Sequence, residues 1–122
     1  MTQSIAMLLT RNLHDVFGEG NAERRRAAIQ DIFAEEAVFY EPAGVHRGWD
    51  EIDRVAGAIR STHPDAQYTV IRPPEELHGD AGRVQWVSGP PGKAPAYAGT
   101  DFIVAREGRI AAVYLYFDPV PA

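Results

Sequence analysis

Gly99-Thr-Asp-Phe-Ile-Val-Ala-Arg-Glu-Gly-Arg-Ile-Ala-Ala-Val-Tyr-Leu-Tyr-Phe117 consists of two apolar arms separated by Arg106-Glu-Gly-Arg109. Both arms are rich in β-branched and aromatic residues, and Glu107-Gly108 places a residue that tolerates positive φ between them, so the segment reads as an antiparallel hairpin at the centre of a sheet. Asp101 interrupts the first arm where the pattern calls for an apolar side chain. An acid in that position costs several kcal/mol when buried unless it is paired or protonated. It is the strongest functional signal in the chain.

Working outward, the second half of the sequence is β throughout. Strands are expected over Gln67–Arg72, Glu76–His78, Arg83–Ser88, Pro95–Arg106 and Arg109–Phe117, divided by Pro73-Pro74, Gly79-Asp-Ala-Gly82 and Gly89-Pro-Pro-Gly92. The first half is mainly helical. Ile5, Leu8, Leu9, Leu13, Val16 and Phe17 form the stripe of a first helix that ends near Gly18. Asn21 caps a second helix with Ala22, Ile29, Ile32 and Phe33 on its buried side, and Arg24-Arg25-Arg26 reads as a solvated face. Ala37–Glu41 is a short strand stopped by Pro42, and Ala43-Gly44 makes a turn. His46-Arg47-Gly48 then leads into a third helix, with Ile52, Val55, Ala56 and Ile59 as its stripe, ending before His63-Pro64.

Helices first and antiparallel strands last imply an α+β class: a cone-shaped, curved antiparallel or mixed sheet whose pocket is closed by the three helices of the N-terminal half. At 122 residues the chain is expected to form one domain spanning 1–122. It has no cysteine, which excludes disulfides, thiolate metal sites and cysteine nucleophiles and leaves cytoplasm as the default compartment. Seventeen acidic residues against twelve basic ones give a net charge of -5, the wrong sign for holding nucleic acid through its phosphates. No apolar run approaches the ~20 residues that span a bilayer, so neither a membrane nor a cleaved leader is expected. His14, His46, His63 and His78 lack metal-ligand spacing, and the glycine-rich turns lack the Lys-Ser/Thr pair of a phosphate loop, so neither metal nor other cofactor is expected.

The order of elements, the strand ending Phe39-Tyr-Glu-Pro42, Gly48 opening a third helix, and Gly99-Thr-Asp101 through Gly108-Arg-Ile110 together resemble one superfamily. It includes nuclear transport factor two, ketosteroid isomerase and the SnoaL-like polyketide cyclases. The resemblance covers nearly the whole chain and implies a cone-shaped barrel, commonly dimeric through the outer sheet face, with a ligand cavity between sheet and helices. In the isomerase branch an acid just before the strand-ending proline shuttles a proton next to a carbonyl, which corresponds to Glu41. A second, protonated acid early in the penultimate strand donates to the developing enolate oxygen, which corresponds to Asp101. The tyrosine that completes that oxyanion site falls at about Leu13, so steroid isomerisation itself is disfavoured.

Strand parity and helix stripe, with this resemblance, give an expected pocket of Leu13, His14, Phe39, His46, Trp49, Trp86, Tyr97, Ile103, Val113 and Phe117 around Glu41 and Asp101. The aromatic members also fit a plain core. Both acids admit structural roles as well: Glu41 as a turn cap, Asp101 as a partner of Arg47, Arg83 or a backbone amide. Tyr114 and Tyr116 alternate with inward residues and suit a homodimer interface. Two functions follow as expectations. One is an isomerase or cyclase of a small apolar carbonyl compound, and the other is a binding or accessory domain that holds such a ligand unchanged.

Overall fold

The computed structural model describes residues 3–121. Helix α1 (Ile5–Arg11) is capped by the Ser4 side chain and continues into a π-wound segment, Asn12–Phe17. Its wider turn is closed by the Gly18 N–H donating to Leu13 O at 2.7 Å. Helix α2 (Ala22–Ile32) begins at an Asn21 cap whose side chain accepts from Arg24 N, the arrangement that satisfies an otherwise orphaned first-turn donor. Helix α3 (Gly48–Thr62) follows two short-turn strands, β1 (Phe33–Glu41) and β2 (Gly44–Arg47). The remaining strands are β3 (Gln67–Val70), β4 (Glu75–Leu77), β5 (Ala81–Gly89), β6 (Tyr97–Arg106) and β7 (Arg109–Asp118).

The expected α+β architecture is present: three helices against an open mixed sheet in the order β2-β1-β7-β6-β5-β3, with β4 also on β5. The quoted hairpin, β6 and β7, is central, and Glu107 and Gly108 turn it with φ of 52° and 77°. All pairings are antiparallel except β1 with β7. Register shifts in β1 between Phe33 and Val38 and between Val104 and Ala105 in β6 mark irregularities of the kind that bend a sheet.

Three local expectations are corrected. Residues Gly44–Arg47 pair with Val38–Glu41 as a strand, so the turn is Pro42-Ala43 and His46 lies in a ladder. Phe33 opens β1 instead of closing α2, because its neighbour across the sheet is Ile110. Arg25 leaves the solvated arginine face: it is buried, and its Nε donates to Asp53 at 2.7 Å while Nη1 donates to Glu19 O at 3.0 Å, tying α2 to α3. No helix among the described residues is long and apolar enough to cross a membrane.

Candidate functional site

The concave face of the sheet can be read as rows of paired residues. Phe39, Val113 and Ile103 form the deepest row and are buried in the core with Leu8, Leu9, Ile29, Ile32 and Ile52. One row towards the opening, Leu115 pairs with Asp101 and Asp101 with Val84. Next come Phe117, Gly99, Trp86 and Val70, then Tyr97, Ser88 and Tyr68 at the rim. Above these rows, the π-wound segment and α3 leave a cavity of about 340 Å³, a size suited to a small organic ligand. Its wall is aromatic, with Phe17, Phe39, Tyr68, Trp86, Tyr97 and Phe117, while Asp101, Arg60 and His63 supply its ionisable groups.

Asp101 is buried, at 5% exposure, and has no cationic partner among the described residues. Its partner is Trp86, whose indole Nε1 donates to Oδ1 at 3.1 Å. The structural alternative of an arginine pair is overturned, since Arg83 is engaged with Glu75 instead. Burial raises the Asp101 carboxyl from 3.8 to about 7, against the opposing pull of the Trp86 indole and the Asn12 amide. Asp101 therefore stays a carboxylic acid between about pH 4 and 7, where exposed aspartates are carboxylates.

Asn12 is the residue that the sequence reading passes over. It is buried where π winding begins, and its Oδ1 has no partner. Amide oxygen and nitrogen are interchangeable by a flip, and a protonated Asp101 could donate to the oxygen so presented. Position 99 matters for the same reason. A methyl group on Gly99 would come within 2.5 Å of the Trp86 ring, so glycine lets the indole lie across the strand towards Asp101.

Tyr68 packs edge-on against Trp86 with ring centroids 5.0 Å apart. Burial first, and then the charge of Asp101, push its hydroxyl up to about 12, while Arg60 pulls it down. The phenol is thus a neutral donor on the cavity wall.

Glu41 stands on the same concave face. Tyr40 pairs with Tyr114 and Leu115 with Asp101, so Glu41 falls in the row of Leu115 and Asp101, two strand spacings or roughly 10 Å from the second acid. Its Oε2 lies 3.0 Å from His46 Nε2, and its Oε1 accepts from Ala43 N at 3.0 Å. His46 in turn packs on the Phe39 ring, centroids 5.8 Å apart. Gly44 keeps this pair open, because a side chain there would press on the imidazole at 3.3 Å.

Of the residues expected in the pocket, Leu13, Phe39, Trp86, Tyr97, Phe117 and Asp101 lie together on the cavity wall. Ile103 and Val113 sit one row deeper, in the core. His14 instead reaches the β3 main chain, its Nε2 3.1 Å from Tyr68 O, and Trp49 donates to Phe33 O at 3.0 Å beside the core. His46 and Glu41 form their own pair next to Phe39. Residues that the pattern did not reveal are Phe17, Arg60, Tyr68 and His63, whose ring meets Tyr97 edge-on at 5.2 Å. No group of metal-ligating side chains occurs among the described residues.

The chain and its fold are similar to those of known proteins. The model of the SnoaL-like domain matches residues 10–113. A SnoaL-like family protein of Agrobacterium tumefaciens C58, provisionally named an isomerase, superposes with a TM-score of 0.85 at 25% identity, over 93% of this chain and 97% of that one. A SnoaL-like protein of Jannaschia sp. CCS1, provisionally named a polyketide cyclase, gives 0.72 at 10% identity, over 92% and 83%. A protein of Catenulispora acidiphila with a ketosteroid isomerase-like fold, solved in complex with trimethylamine, gives 0.71 at 15% identity, over 92% and 85%. Among curated proteins no match is found.

Proposed function

The chain belongs to the SnoaL-like domain family, and from that premise we propose that it moves a proton next to the carbonyl of a small, largely apolar compound, as an isomerase or cyclase. The observation that carries this reading is Asp101, a buried carboxyl without a cation on the wall of an aromatic cavity. In its protonated form it donates to the substrate carbonyl, and the bond strengthens as negative charge gathers on that oxygen in the transition state. Glu41, on the same face, acts as general base. It takes the proton as the C–H bond breaks, the electron pair moves into the enolate, and the His46 and Ala43 contacts hold its carboxylate in position. Return of the proton to another carbon completes an isomerisation, whereas attack of the enolate carbon on a second carbonyl closes a ring, with the proton passing from Glu41 to the new alkoxide oxygen. The provisional names of the Agrobacterium and Jannaschia proteins point to the same two outcomes.

A second reading has its own support. Both Glu41 oxygens are already engaged, and Glu41 is not on the cavity wall, which suits a domain that binds its ligand without converting it. Deuterium uptake at the carbon next to the carbonyl of 2-tetralone, followed by NMR in D2O, separates the two. The enzyme reading expects uptake above the buffer rate, reduced at least ~100-fold in Glu41→Gln and less in Asp101→Asn, whose amide still donates. Uptake at the buffer rate with tight binding of the ketone would favour the binding domain.

A further inference from the structure

Arg60 lies in the last turn of α3 and lines the cavity between Ile59 and Thr62. Only its Nη1 is engaged, donating to His63 O at 3.5 Å and to Ala66 O. Nε and Nη2 make no hydrogen bond to a described residue, and Arg60 pairs with no carboxylate among them. Of the other arginines in the helical half, Arg11, Arg24, Arg25, Arg26 and Arg54 are each matched to an acid, and Arg47, which has no such partner among the described residues, is exposed and away from the cavity wall. A guanidinium is permanently charged and presents a planar fork that suits carboxylate geometry. Here that fork is half used, fixed to the 63–66 turn through its other arm, and set on a wall that is mainly aromatic but also carries Asp101 and His63. The same cavity wall carries Asp101, so a ligand in the cavity meets the cation and the Asp101 carboxyl together.

We propose that Arg60 makes the cavity selective for amphiphilic acids: an apolar body against the aromatic wall, with a carboxylate or comparable anion on the free guanidinium edge. This rests on the cavity being the ligand site of the proposed function and adds the substrate class, a carbonyl compound that carries an acid group. The anion docks at Arg60 and the carbonyl end is left to Asp101. A neutral compound of equal shape forgoes the charge-assisted hydrogen bonds to the guanidinium, and a cationic one is repelled by it.

Three matched probes test it by calorimetry on the intact chain at pH 6, below the Asp101 midpoint of about 7: 4-phenylbutanoate, 4-phenylbutanamide and 4-phenylbutylammonium. The acid should bind at least ~10-fold tighter than the amide, with the ammonium weakest, and 0.5 M NaCl should reduce the acid's advantage. In Arg60→Gln, acid and amide should bind within about threefold of one another. Because that variant also loosens the 63–66 turn, the wild-type ranking is decisive by itself. Equal binding of acid and amide, or tightest binding of the ammonium, overturns the proposal. The outcomes stay separable from the enzyme reading: Glu41-dependent uptake by 2-tetralone without acid preference defeats only this inference. Acid preference without uptake defeats only the reaction.

Discussion

Trp86 holds Asp101 by a single hydrogen bond, indole Nε1 to carboxyl Oδ1 at 3.1 Å, and position 99 must be glycine for the indole to lie there. Gly99→Ala should therefore push the ring off the strand. We expect the Trp86 indole N–H resonance to leave its hydrogen-bonded position and stability to fall by about 1–3 kcal/mol, the usual cost of overpacking. An unchanged indole resonance would show that the ring has room the packing denies it.

Asp101 also gives the protein a characteristic pH dependence. Burial raises its carboxyl from 3.8 to about 7 in the folded state, so between those values the folded chain keeps a proton that the unfolded chain has released. Stability from this group is full below pH 4, declines as pH rises through that window, and is constant above it. Asp101→Asn does not ionise, so its stability relative to wild type should rise from pH 4 to pH 8 by a few kcal/mol in total, as an order of magnitude. Glu19, held at about 2 chiefly by Arg24, contributes with the opposite sign, but only below about pH 4.5. Urea unfolding at pH 4.5, 6 and 8 measures the difference, and parallel curves for the two proteins would contradict it.

The convex face carries a second expectation. Tyr40 stacks on Tyr114 with centroids 4.7 Å apart, and Phe102 meets Tyr116 edge-on at 5.7 Å, with Tyr116 60% exposed. Such an aromatic patch suits a subunit contact. Light scattering at micromolar concentration should give twice the 13.4 kDa chain mass, and Tyr116→Glu should halve it. A monomeric wild type would refute the homodimer.

Leu13, in the π-wound segment, is buried on the cavity wall, at the position where the resemblance to the isomerases expects a tyrosine. Leu13→Ala should enlarge the cavity and cost about 2–5 kcal/mol, because the neighbouring strands and helices relax only partly into the space. A loss below about 0.5 kcal/mol by chemical denaturation would mean that this wall is already loose and wet.

Much of this was legible because the signals are local. The β6–β7 hairpin announced itself by its apolar arms and Glu107-Gly108, and Asp101 stood out as an acid within them. Asn12 carried the same kind of signal: it lies four residues after Leu8 and three after Leu9, a polar group in the buried stripe of a helix. Nothing in the sequence, however, marks the π winding that begins at Asn12. β2 was illegible because four residues between a turn and a helix become a strand only through pairing with β1, which is not a local property. Arg60 and His63, at the end of α3, carry no local signal of a site, and their position on the cavity depends on how α3 crosses the sheet. Tyr68 likewise gains its meaning from β3 pairing with β5, which sets it beside Trp86.

The account turns on Asp101 being a neutral acid facing an apolar ligand site near physiological pH. Titration of the Asp101 side-chain carboxyl by carbon-13 NMR in the wild-type protein tests this without needing a substrate. The expected midpoint is about 7, carried by burial against the pull of Trp86 and Asn12. A midpoint at or below about 4, the ordinary range of an aspartate, would mean that Asp101 is a carboxylate in the folded protein and would contradict its role as donor to a carbonyl.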